Sequence, residues 1–361
     1  MRILLLSPHP HVKGPLPKHT PLLVDGLRRL GCTVETFNWG RHGDDQGTVG
    51  RVRSRVADVA GVRRALGRTA YDVLVVKTAH DWRTLLRDIP VLAGARGRVP
   101  RRVLQFHGSD PEKLHRVGRL HPFRLATGRL VAAADASLVL SREEQRCWRE
   151  IFPEHPFHVV KNPLVPLSGV EGRDPRDPEG PVTFLFVGRM IPEKGVFDLL
   201  EAFAAVSAEE DVRLLLAGEG PSLLAVREAV GDRGLAGRVE VAGYVSGGDL
   251  AAVYRRADAL VLPTYWKEGF PTAISEAMQA GLPVVTTPIR GAVDYLEEGR
   301  HARFVEAGNP AALARVLREL ARDPSLRERM GSANRDRVSI FSADAVAREY
   351  LDVLRSIAAG A

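Results

Sequence analysis

Short apolar runs, separated by longer stretches in which apolar residues recur at helical spacing, follow one another along most of this chain. Five such runs stand in the first half, at residues 3–6, 34–37, 73–76, 103–106 and 137–140. Five more stand in the second half, at residues 183–187, 213–217, 239–242, 259–262 and 284–286. Short apolar runs that alternate with helices are typical of buried parallel strands. The pattern therefore predicts an α/β protein with two Rossmann-like, doubly wound parallel-sheet domains.

A proline-rich stretch separates the two sets of strands. Residues 162–181 contain five prolines, three glycines and six charged residues without an apolar period, as expected of a linker. We therefore predict a first domain at residues 1–165, a linker at 166–181 and a second domain at 182–340. The remaining residues, 341–361, are predicted to form a helix that packs back on the first domain. A chain of 361 residues suits two domains of ordinary size.

The turn after the first strand of the second domain carries two cations. Residues 184–195 read Phe-Leu-Phe-Val-Gly-Arg-Met-Ile-Pro-Glu-Lys-Gly, an apolar strand followed by a turn with Arg189 and Lys194 and then by a helix. Backbone N–H groups at a helix start attract anions, and nearby cations strengthen that attraction. This pattern favours a diphosphate-binding site.

Two glutamates stand eight residues apart further along the same domain. Residues 267–279 read Lys-Glu-Gly-Phe-Pro-Thr-Ala-Ile-Ser-Glu-Ala-Met-Gln, which places Glu268 in a loop and Glu276 inside a helix that Pro271 and Thr272 can start. The helix start suits a phosphate, and the carboxylates on either side of it suit sugar hydroxyls. Together these features indicate a nucleotide-sugar pocket, which we expect beyond the carboxyl ends of the strands in the cleft between the domains.

On these motifs the chain resembles family 4 of the glycosyltransferases, which are retaining enzymes of the two-domain GT-B type that use nucleotide-sugar donors. The Gly-Arg-x-x-x-x-Lys-Gly turn and the Glu-x7-Glu signature of that family stand here as Gly188, Arg189, Lys194 and Gly195, and as Glu268 and Glu276. Further matches at residues 217–221, 281–285 and 341–342 extend the resemblance over nearly the whole chain. It implies that the two domains face a cleft, the second binding the nucleotide and the first the acceptor.

The resemblance also implies roles for residues at the strand ends of both domains. The catalytic set comprises His107, Arg189, Lys194 and Glu268. Donor contacts are implied at Gly14, Gly188, Gly218, Glu219, Gly220, Tyr244, Val245, Gly269, Phe270, Pro271, Thr272 and Glu276. The acceptor side comprises Lys18, His19, Ser109 and Asp110. The loop of Gly14 departs from the family's Gly-Gly-x-x-x-His pattern, because Pro15 stands at the second glycine position and has no N–H to offer a phosphate.

The sequence contains no Asp-x-Asp triplet, the motif with which metal-dependent sugar transferases of another fold hold a diphosphate-bound cation. We therefore predict transfer without a metal or cofactor from a UDP-, GDP- or ADP-sugar, the diphosphate charge being met by Arg189, Lys194 and helix starts. Retention of the anomeric configuration is compatible with two mechanisms, double displacement by a carboxylate and front-face attack. We favour front-face attack because the resemblance places Glu268 at sugar hydroxyls, and it places Glu276 at the ribose.

Charge is distributed unevenly along the chain. Residues 1–180 carry 30 Lys and Arg against 19 Asp and Glu, a net charge of +11, whereas the rest carry 21 against 25, a net charge of −4. The run from Lys113 to Arg129 contains no acid and sets Lys113, Arg116 and Arg119 at helical spacing. This pattern suits an anionic membrane surface or a lipid-linked phosphate acceptor, and it suits a solvated helix equally well.

Two cysteines without partner spacing, Cys32 and Cys147, predict reduced thiols in a cytoplasmic protein. No run of 18 apolar residues is present. We therefore expect a cytoplasmic location, with peripheral contact to the inner face of the membrane if the basic run binds lipid. The expected partners are a nucleotide-sugar and a sugar or lipid-linked acceptor.

Other function classes fit the sequence less well. A NAD-linked oxidoreductase would need a third glycine after Gly218 and Gly220, where Leu223 stands. A net charge of +7 would suit binding to nucleic acid. No recognition motif is present, however, and aromatic residues that could stack on bases are sparse, at 6% of the chain. A noncatalytic nucleotide-sugar or anionic-surface binding protein would not need the whole catalytic set. A sugar-nucleotide 2-epimerase of the same architecture is the nearest enzymatic alternative.

Overall fold

The structure, a computed structural model, describes residues 1–9, 16–39, 48–170 and 180–360. The chain divides into two compact units. The first unit comprises Met1–Val165, Lys267–Gly269 and Phe341–Ala361, and the second comprises Pro166–Trp266 and Phe270–Ile340.

The first unit is built on a six-stranded parallel sheet. Its strands are β1 (Arg2–Pro8), β2 (Thr33–Trp39), β3 (Val73–Thr78), β4 (Arg101–Phe106), β5 (Ala136–Val139) and β6 (Phe157–Val159), in the order β2-β1-β3-β4-β5-β6. The five strands predicted for this half are confirmed. The edge strand β6 was not predicted, because its three residues, Phe-His-Val, have a polar residue at the centre and form no apolar run.

Helices cover both faces of this sheet. With helices numbered along the whole chain, they are α1 (Leu16–Arg29), α2 (Thr48–Arg68), α3 (Trp82–Ala95), α4 (Glu112–Arg116), α5 (Pro122–Ala132), α6 (Arg142–Ile151) and α14 (Ala343–Ala359). Strand alternation sends Ile3 and Val75 to the face where Leu27 of α1 and Tyr350 of α14 are buried. The opposite residues, including Leu74, join a second core with Leu92 of α3 and Leu130 of α5. The last helix is thus part of the core of the first unit.

The second unit has a six-stranded parallel sheet of its own. Its strands are β7 (Val182–Val187), β8 (Val212–Ala217), β9 (Val239–Gly243), β10 (Ala259–Leu262), β11 (Val284–Thr286) and β12 (Ala302–Phe304), in the order β12-β11-β10-β7-β8-β9. Its helices are α7 (Val196–Ser207), α8 (Leu223–Asp232), α9 (Gly247–Arg256), α10 (Thr272–Gln279), α11 (Gly291–Tyr295), α12 (Pro310–Arg322) and α13 (Pro324–Arg337). The five predicted strands are again confirmed, and the short edge strand β12 was not predicted.

The strand order of each sheet reverses at one point. In the first unit this point lies between β1 and β3, and in the second it lies between β7 and β10. The loops that leave the carboxyl ends of such a strand pair run to opposite faces of the sheet and open a crevice in which ligands of doubly wound folds bind. Ligand-binding side chains are therefore expected in the loops after these four strands.

The basic run of the first unit differs from its prediction. Helix α4 ends at Arg116, Val117 is extended with φ −109° and ψ 147°, and α5 begins only at Pro122. Arg119 and the exposed Leu120 lie between the two helices rather than on one continuous face. The break has a physical cause, since proline cannot continue a preceding helix and favours an extended conformation at His121. Within the described part of the chain, no helix is both long and apolar enough to cross a membrane.

Candidate functional site

The turn after β7 is held by backbone hydrogen bonds to the turn after the neighbouring β8. The Gly188 N–H donates to the Ala217 carbonyl at 3.1 Å, and the Met190 N–H donates to the Glu219 carbonyl at 2.8 Å. Between these anchors the Arg189 side chain is exposed. The cation predicted for the diphosphate thus stands on a fixed turn with its guanidinium open to ligand.

Two glycines allow these turns to approach so closely. A Cβ added to Gly218, which has φ +144°, would lie 1.8 Å from the Gly188 carbonyl oxygen. A Cβ on Gly220 would lie 2.4 Å from the Met190 carbonyl oxygen. Both glycines of the predicted Gly-Glu-Gly segment are therefore required by packing against the Arg189 turn, while Glu219 between them is exposed.

Lys194 closes a short 3-10 turn, Pro192–Lys194, directly ahead of α7. Its side chain is buried, and the following Gly195, with φ +72°, begins α7 without a capping side chain. A Cβ at Gly195 would lie 2.2 Å from the Pro263 carbonyl oxygen. Lys194 is therefore fixed between the end of β7 and the loop that follows β10, at the point where the strand order reverses.

The loop after β10 is tied to the same turn. The N–H groups of Tyr265 and Trp266 both donate to the Glu193 carbonyl at 3.0 Å, and the Thr264 hydroxyl donates to it at 3.2 Å. These bonds bring the loops of the two adjacent strands together around one carbonyl group. The turn of Arg189 and Lys194 and the loop that leads to the Glu268 motif therefore lie together at the carboxyl ends of β7 and β10.

Helix α10 begins at Thr272, as predicted, and Pro271 before it offers no capping side chain. Two helix starts without side-chain caps, those of α7 and α10, thus follow the two strands at the reversal point. First-turn N–H groups have no acceptor within their own helix, and the helix dipole adds partial positive charge. This pair of helix starts is suited to bind an anion with more than one phosphate.

Glu276 is buried on α10, and its Oε2 accepts a hydrogen bond of 2.8 Å from the Tyr254 hydroxyl. Burial and the nearby Glu276 carboxylate raise the pKa of Tyr254 well above its ordinary value, so this hydroxyl stays a donor. The bond fixes the orientation of the carboxylate. A carboxylate held in this orientation is suited to accept hydrogen bonds from a diol.

The other residues predicted to contact the nucleotide-sugar donor differ in their exposure and contacts. Tyr244 is 65% exposed just after the left-handed Gly243, and Val245 is half-buried. Phe270 packs edge-on against Tyr295, with ring centroids 5.5 Å apart. Gly269 and the half-buried Glu268 belong to the three-residue segment grouped with the first unit.

In the first unit, His107 follows β4, where its N–H donates to the Thr78 carbonyl at 2.8 Å. Its Nε2 atom is buried and has no hydrogen-bond partner within the described residues. Burial, the charge of Lys77 and His19 together hold the pKa of His107 well below its ordinary value. The imidazole is therefore uncharged at neutral pH, with one buried nitrogen available for a ligand.

His19 is buried at the first turn of α1, and its Nδ1 lies 2.6 Å from the Pro163 carbonyl oxygen. Burial lowers the pKa of His19 to about 4. Because a carbonyl only accepts, Nδ1 carries the proton and Nε2 is left as an acceptor. Lys18 beside it is exposed. Gly14, the remaining residue predicted for this loop, lies outside the described residues.

The segment after His107 is held by a buried network. Ser109, fully buried, donates to Glu144 Oε1 and accepts from Trp148 Nε1 at 2.9 Å, and the other Glu144 oxygen accepts from the Leu140 N–H at 3.0 Å. The Ser109 hydroxyl is thus engaged within the protein. Asp110 has one buried carboxylate oxygen without a partner in the described residues, and its other oxygen lies 3.9 Å from Lys113 Nζ.

Sequence reasoning missed two residues of this region, Lys77 and Glu144. Lys77 is 2% exposed at the end of β3, where its Nζ donates to Thr20 Oγ1 at 3.0 Å. A lysine that ends the apolar run Val-Leu-Val-Val could have been noticed, because lysine is almost never fully buried without a role. Glu144 gave no comparable signal, since it stands in a polar helix start, Arg-Glu-Glu-Gln.

The second unit matches a known protein family. Residues 171–337 match the model of the family Glycosyl transferases group 1. A curated relative, D-inositol 3-phosphate glycosyltransferase from Streptomyces avermitilis, is 32% identical over 265 residues, covering 68% of this chain and 55% of the relative. The chain spans about half the length of the first two curated relatives it matches, 47% of one and 55% of the other.

Solved structures resemble the chain over its whole length. Sucrose-phosphate synthase from Thermosynechococcus elongatus superposes with a TM-score of 0.79 at 18% identity, covering 100% of each chain. HepE from Anabaena, solved in complex with UDP and glucose, gives a TM-score of 0.74 at 17% identity and covers 99% of this chain and 100% of its own. The predicted fold class, two Rossmann-like parallel-sheet domains of the GT-B type, is confirmed.

Proposed function

We propose that this chain is a metal-independent, retaining glycosyltransferase that moves a hexose-type sugar from a nucleotide-diphosphate donor to an acceptor hydroxyl. The observation that supports this most directly is the turn between β7 and α7, where the exposed Arg189 and the buried Lys194 precede a helix start without a side-chain cap, and where the loop after β10 is hydrogen-bonded to the Glu193 carbonyl. This arrangement offers the positive charge and N–H donors that a diphosphate leaving group needs. The match of this region to the group 1 glycosyltransferases agrees with the proposal.

In the proposed reaction the bond between the anomeric carbon and the diphosphate oxygen breaks, and the acceptor oxygen bonds to the same face of that carbon. The acceptor proton passes to the leaving phosphate oxygen. Arg189 and Lys194 stabilise the charge that develops on the diphosphate. His107, uncharged and with a buried free nitrogen, binds the sugar near its reacting carbon, and Glu268 binds sugar hydroxyls. Glu276, oriented by Tyr254, binds the ribose diol.

Relatives support the substrate classes without fixing them. HepE was solved with UDP and glucose, and the Streptomyces relative is named for transfer to D-inositol 3-phosphate. We propose a UDP-, GDP- or ADP-hexose as donor. We propose a glycan, a lipid-linked sugar or a small polyol as acceptor, in the synthesis of cell-envelope polysaccharide or glycolipid.

A donor screen tests this proposal. We expect release of nucleotide diphosphate from one class of UDP-, GDP- or ADP-sugar, at rates unchanged by EDTA and by added magnesium or manganese. The physical reason is that protein cations and helix starts meet the diphosphate charge, so no bound ion has to. A product with the same anomeric configuration as the donor sugar, measured by proton NMR coupling constants, would support retention. Activity lost in EDTA and restored only by a metal would contradict the proposed role of Arg189 and Lys194.

The same screen separates the alternatives. A 2-epimerase would convert the donor sugar without any acceptor, and its product would be detected as a changed nucleotide-sugar or free sugar. A noncatalytic binding protein would bind UDP in calorimetry and release nothing. The complete catalytic set, including the buried Lys194 and the uncharged His107, favours the transferase over the binding protein.

We further propose a cytoplasmic protein whose first unit contacts an anionic membrane surface. Arg116 and Arg119 are exposed, and Leu120, which follows Arg119, is 84% exposed, so two cations and an apolar side chain are open to solvent within residues 116–120. Replacing Arg116 and Arg119 with alanine is expected to weaken binding to anionic vesicles by about thirtyfold, because each arginine near such a surface contributes about 1 kcal/mol. Sedimentation with vesicles of stated anionic content measures the change.

A matched control uses Arg227 and Arg348, two exposed arginines of α8 and α14. Replacing both with alanine removes the same charge and is expected to leave vesicle binding within about threefold of wild type. Arg124 is left unchanged because its guanidinium donates to the Leu114 carbonyl at 2.7 Å and supports the end of α4. An equal loss of vesicle binding in both double variants would show that only the net charge of the chain matters. Vesicle binding that does not change with salt concentration would exclude electrostatic docking.

A further inference from the structure

A buried ammonium group lies at the strand-order reversal of the first unit. Leu6 of β1 is paired with Val76 of β3, so the next residues along, Ser7 and Lys77, stand at the same level, each one residue before the end of its strand. Lys77 is 2% exposed and forms no ion pair with any carboxylate in the described part of the chain. An uncompensated buried charge destabilises a fold, so its retention at a ligand crevice calls for a functional reason.

The hydrogen bonds of Lys77 lead to the start of α1. Its Nζ donates to Thr20 Oγ1 at 3.0 Å, and Thr20 Oγ1 donates to the Leu16 carbonyl at 2.8 Å. The Ser7 hydroxyl lies 3.0 Å from the same Thr20 oxygen. Because the Thr20 hydroxyl donates its single proton to the Leu16 carbonyl, the Ser7 hydroxyl is the donor in its hydrogen bond to Thr20. Thr20 therefore joins the ends of β1 and β3 to the helix turn that carries His19.

We propose that Lys77 is a positioning residue for the acceptor-side site of the first unit: it fixes the His19 turn through Thr20, and its charge opposes a second positive charge on His19 or His107. This inference rests on the proposed glycosyl transfer. The charged and titratable groups near His19 are Lys77 and Lys18, and those near His107 are Lys77 and His19. The polar groups are Ser7 and Thr20.

Electrostatics agree with the geometry. Burial lowers the pKa of Lys77 from 10.5 to about 7, and burial followed by nearby cations lowers the pKa of both histidines. Below pH 7 Lys77 is charged and opposes protonation of either ring. A neutral His107 keeps a lone pair or an N–H for a sugar hydroxyl, whereas a protonated ring could only donate.

Replacing Lys77 with methionine, which is similar in length and apolar, tests the proposal in the full chain. The pKa values of His19 and His107, followed by NMR of the ring carbon protons, are expected to rise in the variant. The acid limb of the pH–rate profile is then expected to move to higher pH, and kcat/KM to fall by up to about a hundredfold. Replacing Lys77 with arginine retains the charge and is expected to keep both histidine pKa values low.

Thermal unfolding gives a readout that does not depend on activity. Unfolded Lys77 holds its proton up to pH 10.5, whereas folded Lys77 releases it from about pH 7. The unfolded chain therefore binds more protons between these values, and wild-type stability rises with pH across that window. The methionine variant lacks this pH-dependent contribution of Lys77. Its melting temperature is therefore expected to exceed that of wild type at pH 6, and the difference in melting temperature is expected to decrease towards pH 10.

The outcomes are distinguishable from failure of the proposed function. Wild-type chain that turns over no donor would end the glycosyltransferase proposal, while the NMR titration and the melts would still report on Lys77. Unchanged histidine pKa values, or a melting difference that is constant with pH, would overturn the charge role. Wild-type kcat/KM in the methionine variant would overturn the positioning role.

Discussion

Replacing Lys194 with alanine is expected to lower kcat/KM for nucleotide release by about 10² to 10³, because removal of one group that stabilises a developing anion in a preorganised site has effects of that size. Lys194 is buried in the turn that precedes α7, where the backbone offers N–H groups and no side-chain cap. Its loss leaves the diphosphate charge to Arg189 and the two helix starts. Initial rates over a range of donor concentrations measure the effect.

Two controls accompany this variant. Arg227, exposed on α8 of the same unit, is replaced with alanine and is expected to keep wild-type kinetics. Calorimetric titration with UDP separates donor affinity from the chemical step. Turnover within about threefold of wild type at saturating donor would remove Lys194 from the reacting centre.

The two parallel sheets could be predicted from the sequence because their central strands are buried on both faces. Runs such as Val73–Val76 and Leu214–Ala217 are apolar without interruption. The edge strands β6 and β12 could not be predicted, because their sequences, Phe-His-Val and Ala-Arg-Phe, form no apolar run and each gains its strand conformation from pairing with a neighbour. Local pattern carries no information about that pairing.

The basic run shows a different limit. Its charges at helical spacing predicted one continuous face, yet Gly118 and Pro122 stand inside it and divide it into α4 and α5. Both breakers were visible in the sequence, and the spacing of the charges was given too much weight. An exposed charge has little influence on local structure, whereas a proline removes a hydrogen bond and restricts its neighbour.

The candidate site residues were named chiefly from the family resemblance. For Gly218 and Gly220 the structure adds a physical reason, because close backbone approach demands glycine at both positions. Lys77 was not found, because its significance depends on β1, β3 and α1 meeting around Thr20, a contact between residues 57 positions apart. Long-range contacts of this kind are properties of the fold and leave no periodic signal.

Gly218 provides the sharpest test of the site's architecture. Its replacement by alanine is expected to destabilise the chain by about 2–3 kcal/mol, because the new Cβ meets the Gly188 carbonyl oxygen at 1.8 Å and the backbone has φ +144°, which alanine adopts only with strain. The neighbouring turn must move to relieve the overlap, and Arg189 moves with it. We therefore expect a lower melting temperature together with a large loss of nucleotide release.

Gly231 in α8 is the matched control for this glycine. A Cβ there has nothing within 4 Å, and its backbone is helical, so alanine is expected to leave activity unchanged and to raise stability by up to about 1 kcal/mol. Differential scanning calorimetry of both variants compares one added methyl group in two surroundings. If Gly218→Ala melts and turns over like Gly231→Ala, the turn that carries Arg189 tolerates displacement, and close packing of the two glycine turns is not what fixes the donor site.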